Sequence, residues 1–189
     1  LTDVTGVQTC ALPILLEIGE VSLRACAADD VLFRDVGNLI LDAEQRCGVK
    51  VWEKTDLDTQ GEYWYDEDNN TVSIYSQGNP AQYYHGIECA LRDHIIDQTN
   101  RHHVVYEGLA LKYGAAHGSG GGSTAFITVR DCDFGYIGGG DQMGGERTVR
   151  FGNGVEFWGT AHDHLVEGCR LWEIYDAALT NQRDRKSVV

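Results

Sequence analysis

Apolar and polar positions recur in a fixed short pattern along this chain. The octamers ITVRDCDF (127–134) and HLVEGCRL (164–171) align at a cysteine, with apolar residues at three matching positions. The matched pairs are Val129 with Val166, Cys132 with Cys169, and Phe134 with Leu171. Two further segments fit the same frame: VVYEGLAL (104–111) through Tyr106, Leu109 and Leu111, and VLFRDV (31–36) through Phe33 and Val36. A repeated unit of this kind is stronger evidence for a fold than any local motif.

Each unit reads as a strand, a one-residue corner and a second strand. Apolar and polar residues alternate within the unit, which is the periodicity of a β-strand. The alternation breaks in the middle at residues that tolerate a bend, namely Gly108, Asp131, Gly168 and Asp35. One unit cannot bury its apolar side chains alone, but stacked units bury them as continuous columns. The sequence therefore predicts an all-β fold, a single-stranded parallel β-solenoid, and the crossover rule makes it right-handed.

The repeats resemble the right-handed parallel β-helix proteins of the pectate-lyase-like superfamily over about residues 21–182. The resemblance implies a secreted, periplasmic or cell-surface bacterial protein whose partner is a polysaccharide or oligosaccharide. We expect a glycoside hydrolase first, because the chain is acidic and offers several candidate carboxylates. A polysaccharide lyase, and a glycan-binding or surface-adhesion solenoid without activity, are the alternatives, since a fold does not fix a reaction.

Three departures from the repeat are predicted. The segment EYWYDEDNNTVSIYS (62–76) has two alternating arms around a polar cluster, which predicts a β-hairpin. The glycine-rich stretch 114–124 lacks the lysine and the frame of a phosphate loop, so we expect a wide corner between coils. The interval from Cys132 to Cys169 is longer than that from Leu109 to Cys132, which predicts a loop insertion near 135–159. Loops on a rigid scaffold commonly carry function.

Both ends of the chain look foreign to the repeat. Residues 4–14 (VTGVQTCALPI) and 184–189 (DRKSVV) back-translate into what resemble two opposing sequencing adapters. We therefore expect residues 1–14 and 184–189 to be non-native. The remaining residues, 15–183, are expected to be a partial β-helix domain from a metagenomic fragment.

The charge balance excludes some partners. The chain has 15 Lys and Arg against 29 Asp and Glu, a net charge of −14, whereas nucleic acids and anionic membranes are bound by clustered cations. No apolar run in the sequence reaches transmembrane length, so no membrane insertion is expected. The acidity suits a neutral sugar or a cation better than a polyanion. We expect a monomer without a cofactor, with Ca²⁺ as the alternative left open.

Neither the cysteines nor the histidines predict a metal site. Five cysteines lie outside the suspected adapters, an odd number without the tight spacing of a zinc site or a disulfide framework. We expect Cys132 and Cys169 to be small buried residues of one column. The spacing of His117, His162 and His164 matches no known metal-binding pattern.

Polar residues concentrate in three stretches that stacking would bring together, since equivalent residues of successive coils lie about 4.8 Å apart. A glycosidase needs one protonated and one ionised carboxylate beside the scissile bond. The candidate catalytic carboxylates are Asp141, Glu146, Glu156 and Asp176. The candidate substrate-binding residues are His117, Arg147, Arg150, Trp158, His162 and Glu173.

Structural roles compete with these assignments. Asp141 and Glu146 lie among glycines, where acidic residues often close turns. Arg147 and Arg150 are expected to pair with these acids and hold the loop. His162 is first interpreted as part of a turn that precedes the last coil. The hydrolase hypothesis therefore requires that two carboxylates share a groove without being neutralised by arginines.

Overall fold

The computed structural model describes the backbone of residues 15–17, 20–24, 35–66, 68–69, 71–141 and 149–182. β-Strands dominate this part of the chain, which confirms the predicted all-β class. Two short helical segments occur in it, a 3₁₀ turn at Lys54–Asp56 and one α-helical turn, α1, at Pro80–Tyr83. The side chain of Asn79 caps α1 by accepting a hydrogen bond from the Ala81 N–H, and Pro80 suits the first turn.

The N-terminal part of the structure is a mainly antiparallel region. Its strands are β1 (Leu15–Glu17), β2 (Glu20–Arg24), β3 (Asn38–Leu41), β4 (Arg46–Cys47), β5 (Val49–Lys50), β6 (Glu62–Asp66), β7 (Thr71–Tyr75) and β8 (Ile87–Ala90). They form two sheets, of order β1-β2-β7-β6-β5 and β4-β3-β8. β6 and β7 are the predicted hairpin, with Asp66 paired to Thr71 at its end. Tyr63 and Ile74, on the same face of that hairpin, are fully buried in the core of the region.

The C-terminal part consists of strands that stack in parallel. They are β9 (Arg92–Asp97), β10 (Val105–Glu107), β11 (Ala110–Lys112), β12 (Gly114–Gly120), β13 (Thr128–Arg130), β14 (Asp133–Ile137), β15 (Val155–Trp158), β16 (Leu165–Glu167), β17 (Arg170–Ile174) and β18 (Leu179–Gln182). The three stacks are β9-β12-β15-β18, β10-β13-β16 and β11-β14-β17. On each pass the chain visits the stacks in this same order, and every pairing between passes is parallel.

The register of the stacks is the one that the repeat predicts. Two columns of paired residues are Tyr106–Val129–Val166 and Leu111–Phe134–Leu171. The column Leu109–Cys132–Cys169 lies beside them, since the N–H of Asp133 donates to Leu109 O and that of Arg170 to Cys132 O. Val129, Cys132 and Phe134, in the middle pass, are fully buried. Cys132 and Cys169 are free thiols; Cys132 is buried, as predicted, whereas Cys169 is half-buried.

Left-handed corners also stack from pass to pass. The residues at the predicted bend are Gly108, Asp131 and Gly168, with φ angles of 66°, 50° and 64°. A second column, at the end of the third stack, is Tyr113, Tyr136 and Glu173, with φ angles of 69°, 56° and 48°. A residue with a side chain costs about 1–2 kcal/mol in this conformation, so the stacked neighbours must hold it there. The bend is therefore confirmed, and it is not reserved for glycine.

The glycine-rich stretch 114–124 is not the corner that was predicted. Most of it is β12, a wholly buried strand between β9 and β15. A Cβ atom on Gly118 would lie 2.5 Å from Gly154 O and 2.6 Å from Phe134 Cδ1. Glycine is therefore needed here because the neighbouring passes approach closely, not because the chain turns.

Two other predictions change in detail. Residues 31–34 of VLFRDV lie outside the described residues, and Val36 packs in the antiparallel region instead of joining the columns. Asp35 is buried in an ion network, described below, and does not form a corner of the stacks. The insertion predicted near 135–159 is shorter, because β14 continues to Ile137 and β15 begins at Val155. The suspected adapter ends, 1–14 and 184–189, lie outside the described residues.

Candidate functional site

A cleft of about 420 Å³ lies where the antiparallel region meets the stacks. Its volume falls in the range of small-molecule sites. Lys50 and Trp52 line it from the end of β5 onwards, and Glu173 and Tyr175 line it from the end of β17. Arg150 reaches it from the insertion between β14 and β15. Three segments distant in sequence therefore converge on one concave surface, which we call the cleft.

Lys50 is held between two carboxylates at the cleft. Its Nζ donates a hydrogen bond to Asp35 Oδ2, donates a second to Gly139 O at 3.0 Å, and lies 3.8 Å from Asp141 Oδ1. The Lys50 and Asp35 side chains are only 6% and 2% exposed. The Asp141 N–H also donates to Asp35 Oδ2, at 2.7 Å, so Asp141 connects the insertion to both Lys50 and Asp35. A buried cation requires this kind of pairing, because desolvation of an isolated charge is prohibitive.

Arg150 completes this ion network of Asp35, Lys50, Asp141 and Arg150. Its Nε donates to Asp141 Oδ1 at 3.4 Å, and its other two nitrogens donate to the carbonyl oxygens of Lys50 (3.1 Å) and Val51 (3.0 Å). Its side chain is 4% exposed. The predicted pairing of Arg150 with an acid of the insertion is therefore confirmed, and the arginine also anchors the insertion to the antiparallel region.

Burial perturbs the acid and the base of this network in the expected directions. Burial raises the pKa of Asp35, and the neighbouring Lys50 ammonium only partly opposes that rise. Burial likewise lowers the pKa of Lys50, against the attraction of Asp35 and Asp141. Desolvation disfavours the charged form of each group, so both shifts have one cause. Asp35 Oδ1 is buried and accepts no hydrogen bond from the described residues, which adds to the cost of its charge.

Two aromatic side chains form walls of the cleft. Trp52 is 39% exposed, and the Arg150 guanidinium lies over its ring, 3.6 Å from the centroid. This contact fixes the indole, because a planar guanidinium stacks well on an aromatic face. Tyr175 is 52% exposed, and its Cβ lies 2.7 Å from where a Cβ on Gly138 or Gly152 would be. Small residues at those two positions therefore make room for Tyr175.

Glu173 is the exposed carboxylate of the cleft. Its side chain makes no hydrogen bond or ion pair in the part of the chain that the structure describes. Its negative charge acts on Cys47, another residue of the lining, whose thiol pKa is raised by burial first and by Glu173 second. Glu173 was predicted to bind substrate, and the structure places it at the mouth of a concave surface.

His117 and Glu156 were also predicted as site residues, and the structure brings them together elsewhere. The Asn153 N–H donates to His117 Nδ1 at 3.1 Å, so the His117 proton lies on Nε2, which contacts Glu156 Oε2 at 2.9 Å. Asn153 Nδ2 donates to Glu156 Oε1 at 3.1 Å. Burial raises the pKa of Glu156, but the hydrogen bonds from His117 and Asn153 oppose it, and the net pKa is lowered.

This His117–Glu156 pair is closed to a ligand. Both residues are buried, and the two ring nitrogens of His117 are already occupied. The ring also stacks on His94, with centroids 5.0 Å apart, and meets the edge of Phe151. A general base needs a free nitrogen within reach of its substrate. The pair therefore joins neighbouring passes of the chain, and His117 offers no free ring nitrogen to a substrate.

The remaining candidates are dispersed. Asp176 is exposed and does not line the cleft. His162 is exposed and contacts Asp163 at 2.8 Å, in keeping with a turn. Trp158 is 50% exposed, lies over Gly122 and is not part of the cleft lining. Glu146 and Arg147 lie outside the described residues. Of the ten candidates, Arg150 and Glu173 line the cleft, and Asp141 lies behind it.

Sequence reasoning missed Lys50, Trp52 and Tyr175. The first two lie in a segment without the repeat, which was interpreted as an insertion or a crossing loop. The alternation in VKVW (49–52) was the available signal, since it is typical of a short strand with one polar face. Tyr175 follows the last repeat and carried no signal of its own.

Neither a family model, nor a curated protein, nor a solved structure matches this chain. Among the described residues, no group of three or more His, Cys, Asp or Glu side chains is arranged to hold a metal ion. Within the same residues, no helix has the length and apolar character needed to cross a bilayer.

Proposed function

We propose that this protein is a right-handed parallel β-helix that binds a carbohydrate in the cleft. The three parallel stacks visited in constant order support the β-helix, and the crossover rule favours the right hand. The observation that carries the ligand class is the pair of exposed aromatic side chains, Trp52 and Tyr175, in the lining of a polar concave surface. Sugar rings present C–H faces to aromatic rings and hydroxyl groups to polar side chains, so this combination suits them.

Binding is better supported than hydrolysis by the ionic contacts. Asp141 is paired with Arg150, and Glu156 is paired with His117. A hydrolase needs two carboxylates placed about 5–10 Å apart around the scissile bond. Glu173 is the one carboxylate of the cleft lining, so the second member of such a pair is missing from the described lining.

Hydrolysis is kept as the second candidate because of one observation on Glu173. It is an exposed carboxylate in the lining of a concave surface, which is where a glycosidase holds its acid or nucleophile. The test is incubation of labelled oligosaccharides with the protein and with Glu173→Gln. Product formed by the parent protein and lost in the variant would favour the hydrolase. An unsaturated uronate product would favour the lyase instead.

The binding proposal is tested by removing one aromatic wall. We expect Trp52→Ala to weaken binding of oligosaccharides about 3- to 10-fold in calorimetric titrations, because an aromatic contact contributes roughly 0.5–1.5 kcal/mol. Trp158→Ala is the matched control, since Trp158 is also an exposed tryptophan but lies outside the cleft. Equal losses in both variants, or no binding of any oligosaccharide by the parent protein, would overturn the proposal.

A further inference from the structure

The positively charged side chains of the cleft are already paired with carboxylates of the protein. Lys50 lies between Asp35 and Asp141, and Arg150 contacts Asp141 and two carbonyl oxygens. Both side chains are more than nine-tenths buried. The ion network contains two cations and two carboxylates, so it offers an incoming ligand little net charge. An anionic sugar would find no uncompensated cation among these groups.

The negative charge of Glu173 is, in contrast, uncompensated. The nearest charged partner in the described chain lies beyond ion-pair distance, and the side chain is exposed at the cleft. Its field reaches inside, because it contributes to the raised pKa of Cys47, after burial. The whole chain carries a net charge of −14, which adds a negative background potential.

We infer that the ligand of the cleft is a cationic amino sugar, with its ammonium group at Glu173 and its ring in contact with the exposed aromatic side chains Trp52 and Tyr175. This inference rests on the proposed carbohydrate function and narrows it to one class. An ammonium donates a charge-assisted hydrogen bond to a carboxylate, which is stronger than a bond from a neutral hydroxyl. A neutral sugar would cover Glu173 without neutralising it, and a uronate would be repelled.

The aromatic walls fit the same ligand. One face of Trp52 is already taken by the Arg150 guanidinium, which leaves the other face and the exposed Tyr175 ring for contact. A ligand cation over a tyrosine face is attracted by the ring quadrupole. Aromatic and acidic groups on one concave surface therefore favour a ring that carries an amine over a ring that carries an amide or an acid.

The experiment compares four soluble probes by calorimetric titration: a glucosamine tetramer, its N-acetylated form, a galacturonate tetramer and tetralysine. Measurements are made at about pH 6, where an amine of ordinary basicity is protonated. We expect the glucosamine tetramer to bind most tightly, and its affinity to fall as salt is raised. Glu173→Gln should weaken it about 10- to 100-fold, the usual effect of losing a charged hydrogen bond, and should reduce the preference of the protein for it over the N-acetylated form.

Asp176→Asn is the control for a general field effect, since it removes one exposed carboxylate outside the lining. The inference is overturned if this control weakens binding as much as Glu173→Gln. It is overturned equally if tetralysine binds as well as the glucosamine tetramer, or if the N-acetylated or uronate tetramer binds more tightly. In the last case carbohydrate binding would stand, whereas failure of all three sugar probes would count against the proposed function itself.

Discussion

Replacement of Lys50 by methionine tests whether the ion network holds the antiparallel region against the stacks. Methionine keeps the length of the side chain and removes its charge. Asp35 would then be a carboxylate with a 2% exposed side chain, one unbonded oxygen and no adjacent cation. Removal of one partner of a buried pair typically costs about 3–5 kcal/mol. That is a large part of the roughly 5–15 kcal/mol that stabilises an ordinary domain.

The same variant should change how stability depends on pH. The pKa of Asp35 is raised in the folded protein, because burial outweighs the Lys50 cation. Without that cation the pKa rises further. Between pH 3.8, which is the ordinary pKa of an aspartate, and the higher pKa of the folded protein, Asp35 is protonated in the folded state and ionised in the unfolded state. The free energy of unfolding therefore falls as pH rises through this window, and the deficit of the variant shrinks on acidification.

Urea unfolding followed by tryptophan fluorescence measures both effects. Asp35→Asn should cost less than Lys50→Met, because Lys50 keeps Asp141 at 3.8 Å and the Gly139 carbonyl. The double variant should recover much of the loss, since a neutral pair leaves no buried charge. A Lys50→Met protein that matches the parent at neutral pH would refute this reasoning. So would a deficit that is the same at acidic and at neutral pH.

Two further variants test the stacks. Phe134→Ala should lower the free energy of unfolding by about 3–5 kcal/mol, because Phe134 is fully buried in its column. The control Phe126→Ala should lower it by less than about 1 kcal/mol, because Phe126 is 47% exposed. Gly118→Ala should lower the free energy of unfolding in urea by about 1–3 kcal/mol, since the added methyl group would clash with Gly154 and Phe134. The control Gly86→Ala should be almost neutral, because no atom lies within 4 Å of the added methyl group.

The stacked columns could be predicted from the sequence because each pass repeats the same spacing. Parallel pairing preserves that spacing, so the residues that align in the sequence, such as Val129 and Val166, are the residues that pair in the stacks. The predicted bend at Asp131 was confirmed for the same reason. The strand β12 was missed because its residues are glycine, alanine, serine and one histidine, which carry no hydrophobic alternation. The strand is defined by hydrogen bonds to β9 and β15, in the two neighbouring passes, and a short stretch of sequence contains no sign of these long-range contacts.

The cleft could not be predicted because the segments that line it do not share the spacing of the sequence repeat. Trp52 belongs to a segment outside the repeat, Arg150 to the insertion, and Tyr175 to the end of the last complete pass. Their meeting depends on the docking of the insertion against the antiparallel region, where a Cβ on Gly139 would lie 2.1 Å from Gly37 O, just before β3. Contacts of this kind between irregular segments are set by tertiary packing, which sequence patterns do not encode.

Glu173 differs from the other residues of its corner column in a way that bears on function. Tyr113 and Tyr136 adopt the same costly left-handed backbone, but their side chains bring contacts that offset the cost. Their rings lie 5.8 Å apart, and both hydroxyl groups hydrogen-bond to Glu44. The Glu173 carboxylate has no equivalent contact within the described protein. Glycine would fill this corner at lower cost, as Gly108 and Gly168 do at the other one. Folding alone therefore gives no reason for a glutamate at this position, and a ligand that neutralises its charge would supply one.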